Sequence, residues 1–244
     1  LAAFIVREAR AANPLVPLGI FRSRNLSGAN AIQALMVAGM FGLFFLGALY
    51  LQRVLGFTSL EVGLGFLPLT AIIGILSLGF SAKLNMRFGP RATLLPGLAF
   101  IAAGLGLMTQ ISVGGSYWSE VLPSMVLMGV GAGLSFPSIM TLAMGGVRPE
   151  EAGLASGLVN TTLQVGGAIG LAVLATLSTN RTSGLLAGGD SNAEALTGGY
   201  QLAFVVGAGL LVVAIAIAAF VLRPGVAEQV LSGEGEPVFS SEAA

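Results

Sequence analysis

The charged residues of this chain stand in clusters, and six long stretches between the clusters carry no charge at all. These runs are Asn25–Gln52, Val62–Ala82, Ala92–Ser119, Val121–Val147, Ala152–Asn180 and Ala195–Leu222, each between 21 and 29 residues long. An α-helix needs about 20 apolar residues to cross the hydrocarbon core of a bilayer. Each run is therefore long enough to cross a membrane once.

Two other kinds of fold contain apolar runs, and the sequence disfavours both. Strands of an outer-membrane barrel alternate between apolar and polar residues, which none of the six runs does. A soluble protein can bury one such helix, but not six in succession. Only 9% of the 244 residues are charged, against about 25% in a typical soluble domain. The chain is therefore expected to be solvated mostly by lipid.

The sequence thus predicts an all-α membrane protein, a bundle of six transmembrane helices over residues 26–222. The predicted spans are 26–51, 61–82, 93–112, 120–143, 154–178 and 201–222. Residues 1–25 are predicted to hold the end of a preceding span and a cytoplasmic connecting loop, because the apolar Leu1–Val6 runs directly into charged residues. Residues 223–244 contain scattered Glu, Gly and Ser and are predicted to form a disordered cytoplasmic tail.

The basic residues predict how the bundle is oriented. If successive loops alternate sides, nine of the 11 Lys and Arg residues lie on one side, and only Arg53 and Arg181 lie on the other. Lys and Arg concentrate in cytoplasmic loops. We therefore expect a plasma membrane protein in which both ends of the six-span bundle are cytoplasmic.

Several kinds of chemistry are excluded by residue types that the chain lacks. It has no Cys and no His, which removes thiol nucleophiles, Ser-His-Asp triads and the zinc sites built on these ligands. No acidic or basic residue lies deep in a span, where a membrane enzyme would need one. We expect no enzymatic activity, no cofactor and no metal. The formal net charge is zero, so no nucleic-acid partner is expected either.

Several short stretches together resemble one family of transporters. They are Asn13-Pro14-Leu15 with Phe21-Arg22, Tyr50-Leu51-Gln52 with Gly56, Ser59, Gly63 and Leu67-Pro68, Gly129–Pro137, and Ser156-Gly157 with Gln164, Gly166, Gly167 and Gly170. This pattern is similar to the major facilitator superfamily, and within it to the 14-span drug:proton antiporters of the EmrB/QacA type. The resemblance covers about Pro14 to Leu222 and implies the C-terminal half of such a protein, although a 12-span relative is also compatible.

The resemblance implies a transporter that exports drugs or other small amphipathic compounds in exchange for protons, by alternating access between two six-helix halves. Its partners would be a small-molecule substrate, protons, the lipid bilayer and the N-terminal half of the same protein, which this fragment lacks. The carboxylates that couple transport to protons are expected in that other half. A carrier for one specific metabolite is the main alternative, and a membrane module without transport activity is another.

The loop after the second run resembles a degenerate copy of the superfamily's loop motif, Gly-x-Leu-x-Asp-Arg-x-Gly-Arg-Arg. Its matching positions are Leu84, Arg87, Gly89 and Arg91, whereas Met86 stands in the place of the aspartate. The missing aspartate argues against a charge relay between helices at this loop. Arg87 and Arg91 are instead expected to hold the loop at the anionic cytoplasmic leaflet, at about 1 kcal/mol for each basic residue.

Small residues recur in two of the runs. The fourth run contains Gly129, Gly131 and Gly133 ahead of Pro137, and the fifth contains Gly166, Gly167 and Gly170. In membranes, small residues let helix backbones approach closely. One interpretation is plain helix packing. The other is that these glycines allow helices to slide and tilt during transport.

Four amides inside the runs form two pairs at helical spacing. Asn30 and Gln33 are three residues apart, and Asn160 and Gln164 are four apart, so each pair shares one face of a helix. A buried amide in lipid needs a hydrogen-bond partner, so all four are expected to point into the bundle. They either join helices or line a substrate cavity. Our hypothesis is that both faces border a central cavity that takes large, apolar or cationic compounds.

Overall fold

The computed structural model describes residues 23–145 and 147–222, most of which are helical. Six long helices follow one another: α1 (Arg24–Arg53), α2 (Ser59–Phe88), α3 (Pro90–Met108), α4 (Tyr117–Met144), α5 (Ala152–Ala187) and α6 (Asn192–Phe220). All six are long and apolar enough to cross a membrane, and these two ranges contain no strand. The predicted all-α, six-helix membrane fold is confirmed. The predicted end of a preceding span, in Leu1–Val6, and the predicted tail of residues 223–244 lie outside the described residues.

The last two helices are longer than the predicted spans of 154–178 and 201–222. α5 continues to Ala187, and α6 begins at Asn192, where Ser191 and Glu194 form a capping box. The two extensions pack on each other, since a Cβ added to Gly199 would lie 2.6 Å from the carbonyl oxygen of Ser178. Polar composition marks this region as a loop in the sequence, but a helix supported by a neighbouring helix does not need a continuous apolar face.

The connections between helices gather at two ends of the bundle. The near end carries the described termini, where Gly28 of α1 faces Leu222, together with Gly89 and residues 147–151. The far end carries the connections 54–58, 109–116 and 188–191. The charge pattern of the sequence predicts that the near end is cytoplasmic.

The six helices are buried to very different degrees. α4 packs between α2 and α3, while α6 contacts α1, α3 and α5. In the most apolar part of each helix, 61% of the residues of α1 and of α4 are buried, against 17% for α2 and 22% for α5. The bundle therefore leaves large faces of α2 and α5 uncovered.

The backbone of α2 departs from a regular α-helix at two places. After a capping box of Thr58 and Glu61, the helix is interrupted at Phe66, ahead of Pro68, and it passes through a π-helical turn over Leu76–Phe80. Such turns and prolines interrupt the regular hydrogen-bond ladder. Inside a membrane the freed backbone groups need other partners.

Candidate functional site

The two amides of α1 are buried against α5. Asn30 is 9% exposed and Gln33 only 2% exposed. The Thr162 hydroxyl donates to Asn30 Oδ1 at 2.7 Å, and Gln33 Nε2 donates to the carbonyl oxygen of Val159 at 3.3 Å. Gln33 Oε1 is buried without a hydrogen-bond partner in the part of the chain that the structure describes. These amides therefore join α1 to α5.

The two amides of α5 are exposed and lie apart from the buried pair. Asn160 Nδ2 donates to the carbonyl oxygen of Ser156, one turn earlier in the same helix, at 3.1 Å. Gln164 is exposed on the next turn. The structure thus divides the four predicted residues into a buried pair that holds helices together and an exposed pair. Lining of a cavity stays a prediction, and the exposed pair is better placed for it.

An exposed stripe of small and polar residues runs along α5. We call it the α5 stripe, and it consists of Gly157, Asn160, Thr161, Gln164, Ala168, Ala172 and Thr176. Small and polar residues in a membrane helix mark faces that meet another helix or water rather than lipid. α2 exposes bulkier apolar side chains such as Leu60, Leu64 and Leu78, whereas the apolar side chains exposed beside the α5 stripe are Val165, Ile169 and Val173. The α5 stripe is therefore suited to a partner helix or to an aqueous path.

A groove of about 500 Å³ lies beside the α5 stripe, between α1 and α5. Its walls include Ala34, Ala38, Val165, Ile169 and Leu210. Its polar lining residues are Thr161 and Thr162, whose hydroxyls already donate hydrogen bonds within the protein. The groove can therefore take an apolar surface, while Asn160 and Gln164 offer amides next to it.

The three predicted glycines of α5 all face α1. A Cβ added to Gly166 would lie 2.9 Å from the Cα of Ala34, and a Cβ added to Gly170 would overlap the backbone of Ala38. Gly167 faces the ring of Phe41, 3.2 Å from the position of a Cβ. These contacts supply a packing reason for each glycine. Sliding of the helices during transport stays a prediction.

The three predicted glycines of α4 serve two neighbours instead of one. A Cβ added to Gly131 would lie 2.5 Å from the carbonyl oxygen of Gly97 in α3. Gly129 and Gly133 face α2, where an added Cβ would lie 3.0 Å from the Cβ of Ile72 and 2.7 Å from that of Leu76, respectively. α4 is thus held closely from two sides.

A row of polar contacts between α2 and α4 was not predicted. Pro137 has no backbone N–H, so the carbonyl of Gly133 lacks its usual partner one turn later. The hydroxyl of Ser77 in α2 donates to this carbonyl at 3.4 Å. Two further contacts follow the same faces: Ser81 Oγ donates to the Leu134 carbonyl at 3.3 Å, and Ser138 Oγ to Asn85 Oδ1 at 2.8 Å. The available sequence signal was the spacing of Ser77, Ser81 and Asn85, which are four residues apart and therefore share one face of α2.

The loop-motif residues occupy the turn between α2 and α3, and their roles differ from one another. Gly89 has φ of 85°, a left-handed conformation that favours glycine. Leu84 is half-buried, and the Arg87 guanidinium lies 5.2 Å from the centre of the Phe88 ring. Arg91 does not reach outward to the leaflet as the sequence suggested: its Nε and Nη2 donate to the carbonyl oxygens of Ala218 and Ala219 at 3.3 and 2.5 Å. Cationic groups bind the free carbonyls at a helix C-terminus, so Arg91 ties α3 to the end of α6.

The α4–α5 connection at the near end carries an exposed ion pair. Arg148 donates a hydrogen bond to Glu151, three residues later. This hydrogen bond and the opposite charges raise the pKa of Arg148 and lower the pKa of Glu151 from their ordinary values. The Arg148 side chain is 75% exposed, so solvent screens the pair and it contributes little to stability.

A polar cluster at the far end joins three parts of the chain. The Glu120 carboxylate accepts hydrogen bonds from the backbone N–H and the hydroxyl of Ser112, both at 2.8 Å. The Tyr50 hydroxyl donates to the Ser112 carbonyl oxygen at 2.7 Å. Glu120 therefore organises the α3–α4 connection and brings it onto α1. The sequence marks Glu120 only as the end of a span, because its hydrogen bonds to Ser112, eight residues earlier, and to Tyr50, 70 residues earlier, follow no helical spacing.

Comparison with known proteins adds a family to this architecture. The family model described as "Major Facilitator Superfamily" matches residues 4–171. The chain is 36% identical over 224 residues to the puromycin resistance protein pur8 of Streptomyces alboniger, covering 89% of this chain and 44% of that protein. It is 36% identical over 218 residues to the cephamycin export protein CmcT of Amycolatopsis lactamdurans, covering 89% and 43%, respectively. The multidrug resistance protein Stp of Mycobacterium tuberculosis is 35% identical over 173 residues, covering 71% and 32%.

These matches agree with the six apolar helices and with the motifs of the sequence. The chain spans less than half the length of the curated relatives named above. Their names are those of drug export and resistance proteins, so the predicted resemblance to the drug-exporter group is confirmed. Because the family model matches well over half of its residues, this chain of a multi-pass membrane protein belongs to the Major Facilitator Superfamily.

Proposed function

We propose that the full-length protein exports drugs or other small amphipathic compounds, that protons drive this export, and that it works by alternating access. The α5 stripe is the observation that carries the proposal. It is exposed in this half, it bears Asn160 and Gln164, and it adjoins the apolar groove between α1 and α5. A surface that offers amides beside an apolar groove suits a compound with both polar and apolar parts.

The proposal assigns a separate role to the other half of the protein. The uncovered faces of α2 and α5 would pack against that half or border the path between the halves. In the described ranges every acidic and basic residue lies near a helix end or in a connection, where solvation of the charge is inexpensive. The groups that carry protons are therefore proposed to lie in the other half. The further partners would be the small-molecule substrate and the lipid bilayer, and no enzymatic step is proposed.

We also propose that the protein resides in the plasma membrane with the near end in the cytoplasm. The excess of Lys and Arg on the connections of that end supports this orientation. Single cysteines introduced at Ala82 and Thr179 of the full-length protein test it with a membrane-impermeant maleimide on intact cells. Only the cysteine at position 179 should react. Labelling at position 82 alone would reverse the orientation.

Transport itself is tested by expressing the full-length gene in a host that lacks its own drug pumps. The panel should include puromycin, a cephamycin and tetracenomycin C, because these drugs occur in the names of similar proteins. We expect lower accumulation of at least one compound, and a protonophore should restore the accumulation. Unchanged accumulation of every drug in the panel would contradict drug export, and efflux of a single metabolite would favour the specific-carrier alternative.

The role of the α5 stripe is tested separately with Gln164→Leu and Asn160→Leu. Each substitution removes an exposed amide without opening a cavity, so the amount of folded protein should not change. We expect at least one of them to lower efflux about tenfold, as loss of a polar contact to substrate would do. Thr141→Val in α4 is the matched control, because the exposed Thr141 hydroxyl bonds only to the Pro137 carbonyl of its own helix. Normal efflux by both α5 variants would exclude the stripe from the pathway.

A further inference from the structure

A second pocket, of about 290 Å³, lies at the far end between α2 and α4, away from the α5 stripe. Three aromatic side chains and one carboxylate contribute to its lining: Phe57, Tyr117, Trp118 and Glu61. We call this set the aromatic pocket. None of the four residues belongs to the α5 stripe or lines the groove beside it.

The rings of the aromatic pocket are held at defined angles. The Tyr117 hydroxyl donates to the carbonyl oxygen of Gly65 in α2 at 2.7 Å, which fixes the ring between its two aromatic neighbours. The Tyr117 ring centre lies 6.1 Å from that of Phe57 and 5.5 Å from that of Trp118, the latter pair being nearly perpendicular at 82°. Rings that meet at a corner present a negative π face and an edge to the same space.

The carboxylate of the aromatic pocket forms no ion pair within residues 23–145 and 147–222. Glu61 Oε2 accepts hydrogen bonds from the backbone N–H and the hydroxyl of Thr58 at 2.7 and 2.9 Å. Among the described residues, Glu61 Oε1 has no hydrogen-bond donor, and no Lys or Arg forms an ion pair with Glu61. An anion beside aromatic faces attracts a cation both through its charge and through the ring quadrupoles.

Interfacial anchoring explains only part of this arrangement. Trp118 is 74% exposed and suits the headgroup layer by itself. Glu194 offers an internal comparison, because it forms the same capping box with Ser191 at the start of α6 but lines no such pocket. The feature peculiar to Glu61 is that three rings surround the space beside its carboxylate.

We propose that the aromatic pocket binds a small organic cation of the quaternary or tertiary ammonium class. The cation would lie against Trp118 and Tyr117, with Glu61 supplying the counter-charge. The same chemistry describes a free ammonium compound and the choline headgroup of a lipid. The inference does not depend on transport, since binding to this pocket is measured in the absence of any gradient.

The experiment measures equilibrium binding of radiolabelled tetraethylammonium to the purified full-length protein in dodecyl maltoside. We expect Glu61→Gln to weaken the site about fivefold, from the loss of one charge near the ligand, and Trp118→Leu to weaken it about two- to fivefold. Glu194→Gln is the matched control. It neutralises a glutamate at the equivalent position of the capping box that begins α6, and it should leave binding unchanged. Glutamine can also form a capping box, so the N-termini of α2 and α6 should stay helical in both variants.

Three competitors distinguish the effect of charge from that of shape, and a free ligand from a lipid headgroup. Choline should displace tetraethylammonium, whereas its neutral isostere 3,3-dimethylbutan-1-ol should not. If short-chain phosphatidylcholine also displaces it, the cation bound in the membrane is a headgroup; if not, it is a free compound. The proposal is overturned if Glu61→Gln and Glu194→Gln bind alike while both elute as folded protein, or if Trp118→Leu binds like the unchanged protein.

Discussion

α4 and α5 both carry three glycines at close helix contacts, yet they use them in opposite ways. The glycines of α4 face two neighbours, with Gly131 against α3 and with Gly129 and Gly133 against α2. Those of α5 face α1 alone, and the α5 stripe on the same helix is exposed. In their most apolar parts, 61% of the residues of α4 are buried but only 22% of those of α5.

This difference separates a helix that completes the bundle from a helix that is available to something outside it. α4 is packed between α2 and α3, so a shift away from one of them loses close contacts with it and is blocked by the other. α5 packs on α1 and α6, and none of the described residues covers the α5 stripe. Tilting of α5 during transport stays a prediction. A small-residue pattern in a membrane helix therefore has to be divided by face before it can be assigned to packing or to function.

The largest effect is expected for Gly131→Ala in α4. The new methyl would lie 2.5 Å from the Gly97 carbonyl oxygen and 2.8 Å from the Ile101 nitrogen, both backbone atoms that cannot rotate aside. Overpacking of this kind costs about 3 kcal/mol. We expect a clear fall in the apparent Tm of the full-length protein, measured by size-exclusion chromatography after heating. Gly106→Ala is the control, because a Cβ at Gly106 meets nothing within 4 Å.

A smaller effect is expected for Gly170→Ala in α5, although its methyl would also meet backbone, at Ala38 of α1. We expect α5 to shift outward far enough to relieve this overlap, because the α5 stripe is exposed. The loss should therefore be about 1–2 kcal/mol. The same thermal assay checks it. A loss equal to that of Gly131→Ala would break the comparison, and it would mean that another part of the protein clamps the α5 stripe.

The hydroxyl that accompanies the proline of α4 is the next test. Ser77→Ala removes the donor to the Gly133 carbonyl, the group left free by Pro137. Leaving this carbonyl unpaired in the membrane should lower the free energy of unfolding by about 1 kcal/mol. Ser135→Ala is the matched control, because the Ser135 hydroxyl is buried without a partner among the described residues. Equal stability of the two variants would show that Ser77 does not stabilise α4 at Pro137.

The smallest effect is expected for Gly157→Ala, at the near end of the α5 stripe. A Cβ there meets nothing within 4 Å in this half of the protein. Alanine loses less backbone entropy than glycine in a helix, so the bundle should gain about 0.5 kcal/mol or remain unchanged. A marked loss of stability in the full-length protein would reveal a close neighbour at Gly157, and so would identify where the other half touches the α5 stripe.

The sequence predicts the four amides only as far as helical spacing reaches. It pairs Asn30 with Gln33 and Asn160 with Gln164 correctly, because residues three or four apart share a face. It does not reveal that the first pair bonds to Val159 and Thr162 while the second is exposed. Both pairs have the same composition and the same spacing. The side toward which each helix turns depends on neighbours that are more than 100 residues away in the chain.

The near-end arginines illustrate the same limit. The turn after α2 can be predicted from the sequence because its residues, Arg87 to Arg91, form one contiguous stretch that includes Gly89. The contact of Arg91 with the last carbonyls of α6 joins residues 127 and 128 positions apart. No local pattern could have specified it.

The number of helices, their membrane setting and the family were determined by the sequence, because each follows from local composition and short motifs. A charge-free run of sufficient length must bury its backbone polar groups in a helix wherever it lies. Only the tertiary structure decided which glycines contact the backbone of a neighbouring helix, which amides form hydrogen bonds between helices, and which face of α5 is exposed. Those properties depend on the rotation of each helix against its neighbours, which is set by the packing of the whole bundle.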